Sequence, residues 1–150
     1  MIRKILLGYD GSQAADDAFR FAVELAKKYT AELHLLAVAR PPELGDDVET
    51  EAVIENSRRH YDRLLGQLDA RLAGEGVAAQ AHVVVGHPAE QIVRYADAHG
   101  IDHIVVGHRG HTLFERWLIG SVARQVIAYA HCAVTVVRTA QPSAQAGGRQ

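Results

Sequence analysis

The residues best placed to do chemistry are Gly107, Gly110, Gly120 and Ser121, which stand in the stretch VVGHRGHTLFERWLIGS at 105 to 121. Glycine lets a main chain approach a bulky anion and aim successive amides at it. A helix starting at Gly120-Ser121 would add unpaired N–H groups and partial positive charge. That is the equipment of a phosphate cradle. A second stretch, GYDGS at 8 to 12, supplies Asp10, Gly11 and Ser12, and the Asp10 carboxylate suits a magnesium ion or a ribose hydroxyl. The chain has no GxxxxGK followed by serine or threonine and no GxGxxG. Its lysines, Lys4, Lys27 and Lys28, lie outside both stretches. The cradle would therefore rest on main-chain amides, Ser121, Ser12 and Arg109. This set suits binding more than chemistry, since neither an arginine finger nor a base for phosphoryl transfer can be identified.

Two stretches so far apart in the chain meet only if the elements between them bring them together. Apolar runs at 4–9, 32–39, 81–86, 103–107 and 133–137 predict five strands, and several are apolar on consecutive positions, the pattern of a parallel sheet covered on both faces. Helices are predicted between them. The first follows Ser12 as N-cap and carries Ala15, Ala18, Phe19, Ala22, Leu25, Ala26 and Tyr29 at helical spacing, with acids early and Lys27 and Lys28 late. The second runs from about Val48 to Ala73, with Ile54, Tyr61, Leu64, Leu65, Leu68 and Leu72 on one face, and stops at GEG. The third begins at Pro88 and runs to Gly100, and the fourth begins at Gly120-Ser121.

The βαβαβαβαβ order predicts an α/β, doubly wound open sheet of five mainly parallel strands with helices on both faces. The expected strand order is Rossmann-like, 3-2-1-4-5. In this order, or in its flavodoxin-like counterpart, the crevice at the strands' carboxyl ends brings the loop after strand one beside a later strand's loop. A single domain over 1–138 is expected, followed by a disordered tail over 139–150, where TAQPSAQAGGRQ is small, polar and aperiodic.

Sixteen basic and eighteen acidic residues leave a net charge of -2, which argues against a general footprint for nucleic acid or an acidic membrane, so any anion must be held locally. The apolar start ends at Asp10, too soon for a signal peptide or a spanning helix, and the one cysteine, Cys132, allows no internal disulfide. A reducing cytoplasm is the expected location, and Cys132 is expected to pack just before the last strand. His103 should start strand four, roughly 13 Å from that strand's far end at about 3.3 Å per residue, so it would not share a metal with His108 and His111. Those two lack an obvious carboxylate or cysteine companion for zinc. They read as solvated loop histidines, near phosphate charge when protonated. Phe114, Trp117 and Leu118 are expected to anchor their loop on the core. The strand at 133–137 is expected at a sheet edge, where pairing with a second copy would cover it.

Gly107, Gly110, Gly120 and Ser121 fit the spacing G-x2-G-x9-G-S/T, and the chain resembles the universal stress protein family in its ATP-binding branch. The resemblance spans about residues 2 to 138, through KILLGYDGS, GHPAEQIVRYADAHGIDHIVVG and GSVARQVIAYAHCAVTVV. It implies a five-stranded parallel sheet, a homodimer, and ATP with magnesium across the strand ends. Carried over by position, Asp10 would meet the ribose or the metal, Val38 the adenine through its backbone, and Gly107, Gly110, Gly120, Ser121 and Val122 the phosphates, with His108 and Arg109 in the same loop. His108 stands where a small hydroxyl residue is frequent in the family, and Ala133 where proline is frequent. The stretch RPPELGDD at 40–47 would be a lid near the adenine or an ordinary connection. The implied function is a nucleotide-dependent stress-response sensor or adaptor with an unidentified protein partner. The alternatives are a weak ATP hydrolase or phosphotransferase using His108 or His111, and an interaction module that binds no nucleotide.

Overall fold

Strand β1 (Lys4–Gly8) explains why the apolar runs do not alternate. Its side chains go to two separate cores, Ile5 and Leu7 to one face and Leu6 to the other, and all three are fully buried. In the computed structural model, which describes residues 1–42, 48–108 and 120–138, β1 pairs in parallel with β2 (Glu32–Ala39) on one side and β4 (His103–His108) on the other. Strands β3 (Ala79–Val85) and β5 (Ala133–Arg138) form the edges, giving the order β3-β2-β1-β4-β5 with every pairing parallel. Helices α1 (Gln13–Tyr29) and α2 (Val48–Ala73) bury Ala15, Ala18, Phe19, Leu65 and Leu68 against the Ile5–Leu7 face. Helices α3 (Pro88–His99) and α4 (Ser121–Tyr129) bury Ala89, Ile92, Ala123 and Val126 against the other.

The chain works outward from β1 to β3 and then crosses back to β4 and β5, so the direction of winding reverses between β1 and β4. The helices that follow these two strands, α1 and α4, pack on opposite faces of the sheet, and a crevice opens between them at the strands' carboxyl ends. This is the expected fold, with five corrections at strand ends. Strand β3 starts at Ala79 rather than at 81, because pairing with Leu33 and His34 recruits Ala79 and Gln80, neither of which has the β-branched character that marks a strand in sequence. It ends at Val85, before Gly86. Strand β1 stops at Gly8, although the Tyr9 N–H still donates to the Leu36 carbonyl at 2.9 Å. Strand β4 runs one residue further than expected, through His108, which pairs with Arg138 of an equally extended β5.

The helix ends follow local chemistry. Ser12 caps α1, and Thr30 ends it in the left-handed region at φ 53, where its N–H donates to the carbonyls of Ala26 and Lys27. Pro88 opens α3 and Gly100 closes it at φ 63. No helix among the described residues is long and apolar enough to cross a membrane. The expected tail at 139–150, the anchor residues Phe114, Trp117 and Leu118, and the 43–47 part of the proline-acid stretch lie outside the described residues.

Candidate functional site

Between the carboxyl ends of β1 and β4 lies a cavity of about 630 Å³, within the usual range for small-molecule sites. Asp10, Val38, Gly107, His108, Gly120, Ser121 and Val122 all line it, so the structure brings together seven of the nine residues singled out from sequence. The other two, Arg109 and Gly110, lie outside the described residues, as does His111.

One wall is the start of α1, and it is closed by its own side chains. The Ser12 hydroxyl accepts the Ala15 N–H at 3.1 Å, and Asp10 Oδ1 accepts the Ser12 N–H at 2.9 Å. Gly11 turns the chain between them at φ +82. The buried Tyr9 hydroxyl donates to Asp16 Oδ1 at 2.6 Å. Burial first, then the hydrogen bond to Asp16 and its negative charge, push the Tyr9 phenol well above the ordinary tyrosine range.

The opposite wall is the start of α4, and it is open. Gly120 is the N-cap at φ -58 and ψ 156, it makes no side-chain cap bond, and the first turn carries no acidic residue. The leading amides of a helix have no partner within it, and here the N-cap supplies no side chain to take them. The Gly120 N–H itself donates to His108 Nδ1 at 2.9 Å. His108 is 4% exposed on the last position of β4, which corrects its reading as a solvated loop histidine: strand pairing extends through it and turns the ring inward.

The glycines divide by cause. A Cβ on Gly107 would lie 2.4 Å from the Ala14 carbonyl oxygen, so glycine there is required by the close approach of α1 and has a packing reason independent of any ligand. Gly120 has no such reason: its φ is ordinary for any residue, and the nearest atom to an added Cβ would be His108 Nδ1 at 3.5 Å, a normal contact. Among the described residues, nothing in the packing therefore requires bare backbone at 120.

Helix α2 contributes Ser57 and Tyr61 to the cavity, β2 contributes Leu36, Arg40 follows just past the end of β2, and Ile92 of α3 also lines it. Sequence reasoning placed Tyr61 on the core face of α2, named Arg40 only as the first residue of the 40–47 stretch, and passed over Ser57. The signal was present for Ser57: Ile54, Ser57, Tyr61, Leu64 and Leu68 recur at spacings of three and four, which puts one serine inside an apolar stripe. At the far end of the same strand, His103 begins β4 as expected. Its Nε2 lies 2.6 Å from Thr135 Oγ1, and burial holds its pKa below the ordinary histidine value.

The model of the universal stress protein family matches residues 1–138. The chain belongs to the universal stress protein family. A universal stress protein of Methanocaldococcus jannaschii is 33% identical to it over 141 residues, which cover 92% of this chain and 83% of that protein. The solved universal stress protein UspA from Lactobacillus plantarum superposes with a TM-score of 0.83 at 27% identity, over 91% of this chain and 98% of its own. A family member from Arabidopsis thaliana, solved with AMP bound, shares the fold at a TM-score of 0.69 and 18% identity, over 92% of each chain. Universal stress proteins solved with cAMP and, from Archaeoglobus fulgidus, with dAMP share it at TM-scores of 0.71 and 0.63, both at 22% identity, over 93% and 91% of this chain and 99% and 98% of theirs.

Proposed function

We propose that the cavity binds an adenine nucleotide, with ATP and magnesium as the working pair, and that occupancy governs the protein's part in a stress response as a sensor or adaptor. The observation that carries this reading is the start of α4, which lines the cavity with no side-chain cap from its N-cap residue, beside a glycine that the packing of the described residues does not require. The amides of Gly120, Ser121 and Val122 would meet the phosphates. Val38, at the cavity end of β2, would meet the adenine through its main chain. Family members solved with AMP, cAMP and dAMP support the ligand class.

Asp10 bears on the form of the ligand. A carboxylate on the wall facing a polyphosphate raises the energy of the bare anion, whereas magnesium between them converts repulsion into coordination. Magnesium is commonly held by one or two carboxylates together with phosphate oxygens. Among the described residues no group of three histidines, cysteines or acids is placed to hold a metal unaided. Calorimetric titration with ATP, with and without magnesium, tests both parts. The parent should bind in the micromolar range and more tightly with magnesium, and Asp10→Asn should lose the magnesium benefit while binding bare ATP at least as well as the parent does. A parent indifferent to ATP, AMP and cAMP would remove the nucleotide reading.

The edge position of β5 and the half-burial of Val134 to Val137 support pairing with a second copy through this strand. Sedimentation over a concentration series reads this directly, and a monomer throughout would end it.

A further inference from the structure

The cavity contains a hydrogen bond that bears on how a phosphate enters. Of the amides at the start of α4, that of Gly120 already has an acceptor, the Nδ1 of His108 at 2.9 Å. The imidazole is 4% exposed, and its Nδ1 would be the nearest neighbour of a Cβ built at 120, so the ring lies against the N-cap from inside the cavity wall. An amide has one proton. A phosphate oxygen that takes it must take it from His108, and Nδ1 is then left in a buried position without that partner.

Resting on the nucleotide reading, we propose that His108 is a specificity-determining residue of the site: its imidazole occupies the place of a phosphate oxygen at the Gly120 amide, and the ligand's phosphate competes with it. The competition weakens binding of phosphorylated ligands in particular. Adenosine, which has no phosphate to present, leaves the His108–Gly120 bond intact and does not meet the penalty. His108 thus sets how much of the site's affinity comes from phosphate and how much from the nucleoside.

The test compares ATP and adenosine on the parent, His108→Ala and His108→Asn, with thermal melting to establish folding. His108→Ala removes the acceptor and should raise the ratio of ATP to adenosine affinity roughly tenfold, about the worth of one net hydrogen bond. In His108→Asn the side-chain oxygen stands as many bonds from Cα as Nδ1 does, so it can accept the same proton and should return the ratio to near the parent's. Should the alanine variant fail to fold, NMR of the isotopically labelled parent decides: ATP should shift the Gly120 amide and the His108 Nδ1 resonances together, and adenosine should leave both in place. A ratio that is unchanged or lower in His108→Ala, an asparagine variant that behaves like the alanine one, or His108 and Gly120 resonances that ignore ATP would overturn the competition while leaving nucleotide binding standing. Failure of all three proteins to bind either ligand would instead overturn the nucleotide reading, and this inference with it.

Discussion

At the start of α1, Ser12 accepts the Ala15 N–H, Asp10 accepts the Ser12 N–H, and Asp16 adds negative charge to the first turn. At the start of α4, across the same cavity, Gly120 offers no side chain, no acid stands in the first turn, and the Gly120 N–H donates to a histidine from a neighbouring strand. Both helices point their positive ends toward the crevice, yet only α1 neutralises its end locally. On the proposed nucleotide reading, the difference gives the two walls different parts. An anion is repelled by the carboxylates at α1 and finds donors at α4, so a nucleotide would lie with its phosphates toward Gly120 and Ser121 and with its ribose or metal toward Asp10.

The sharpest way to break this comparison is to give α4 the cap that α1 has. Gly120→Asp suits the backbone angles and has room for its Cβ, and its carboxylate would accept first-turn amides and repel phosphate. ATP affinity should fall by roughly 100-fold, while stability rises by only a few tenths of a kcal/mol, because glycine is already a tolerable N-cap. Calorimetry beside urea unfolding checks both, and undiminished ATP binding would mean that the phosphates do not sit at α4. The converse change, Ser12→Ala, should cost about 1 kcal/mol in urea unfolding. Its effect on ATP affinity should be much smaller than that of Gly120→Asp, and a comparable loss of binding would mean that the α1 wall is a phosphate site too.

The smallest effect concerns alkaline stability at the α1 wall. The fold raises the Tyr9 pKa, chiefly through burial and then through Asp16, so it favours the protonated phenol. This contribution is fully present below the ordinary tyrosine value of about 10 and is lost as pH rises through the folded value. Unfolding free energy should therefore decline above about pH 10, by no more than about 1 kcal/mol in the first pH unit, and Tyr9→Phe should flatten that decline. An identical alkaline slope in the variant would show that ionisation of Tyr9 contributes nothing there.

Much of this was legible in the chain. Period and β-branching marked the elements, because a helix or a strand buried on a stated face must repeat its apolar positions at 3.6 or run them consecutively. Residues named from the stretch after β1 and from the one that leads into α4 do line one cavity, with Val38 of β2 beside them, because the crossover rules of a doubly wound sheet leave few places for those segments to go. Ser57 was missed because its place on the inward face shows only through the apolar residues that flank it, and Arg40 was named only within the 40–47 stretch because an arginine at a strand end carries no period of its own. His34 on β2 was passed over for a related reason. It is 1% exposed, its Nδ1 lies 2.6 Å from the Tyr95 hydroxyl, and burial holds its pKa down. Glu32 Oε1 is 3.0 Å from Nε2 but off the ring nitrogen's bonding direction, leaving that atom without an aligned partner.

The amino-acid sequence by itself determined the parallel sheet, its flanking helices, and the two loops that supply the crevice. These follow from local periodicity and chain connectivity, which are properties of order along the chain. Only the tertiary structure decided why each glycine is a glycine and where His108 points. Gly107 is required by a helix more than ninety residues earlier in the chain, and Gly120 by nothing in the packing of the described residues. His108 became a buried acceptor through strand pairing with β5 and the return of the chain at Gly120. Such facts depend on distances between residues remote in sequence, and only packing sets those distances.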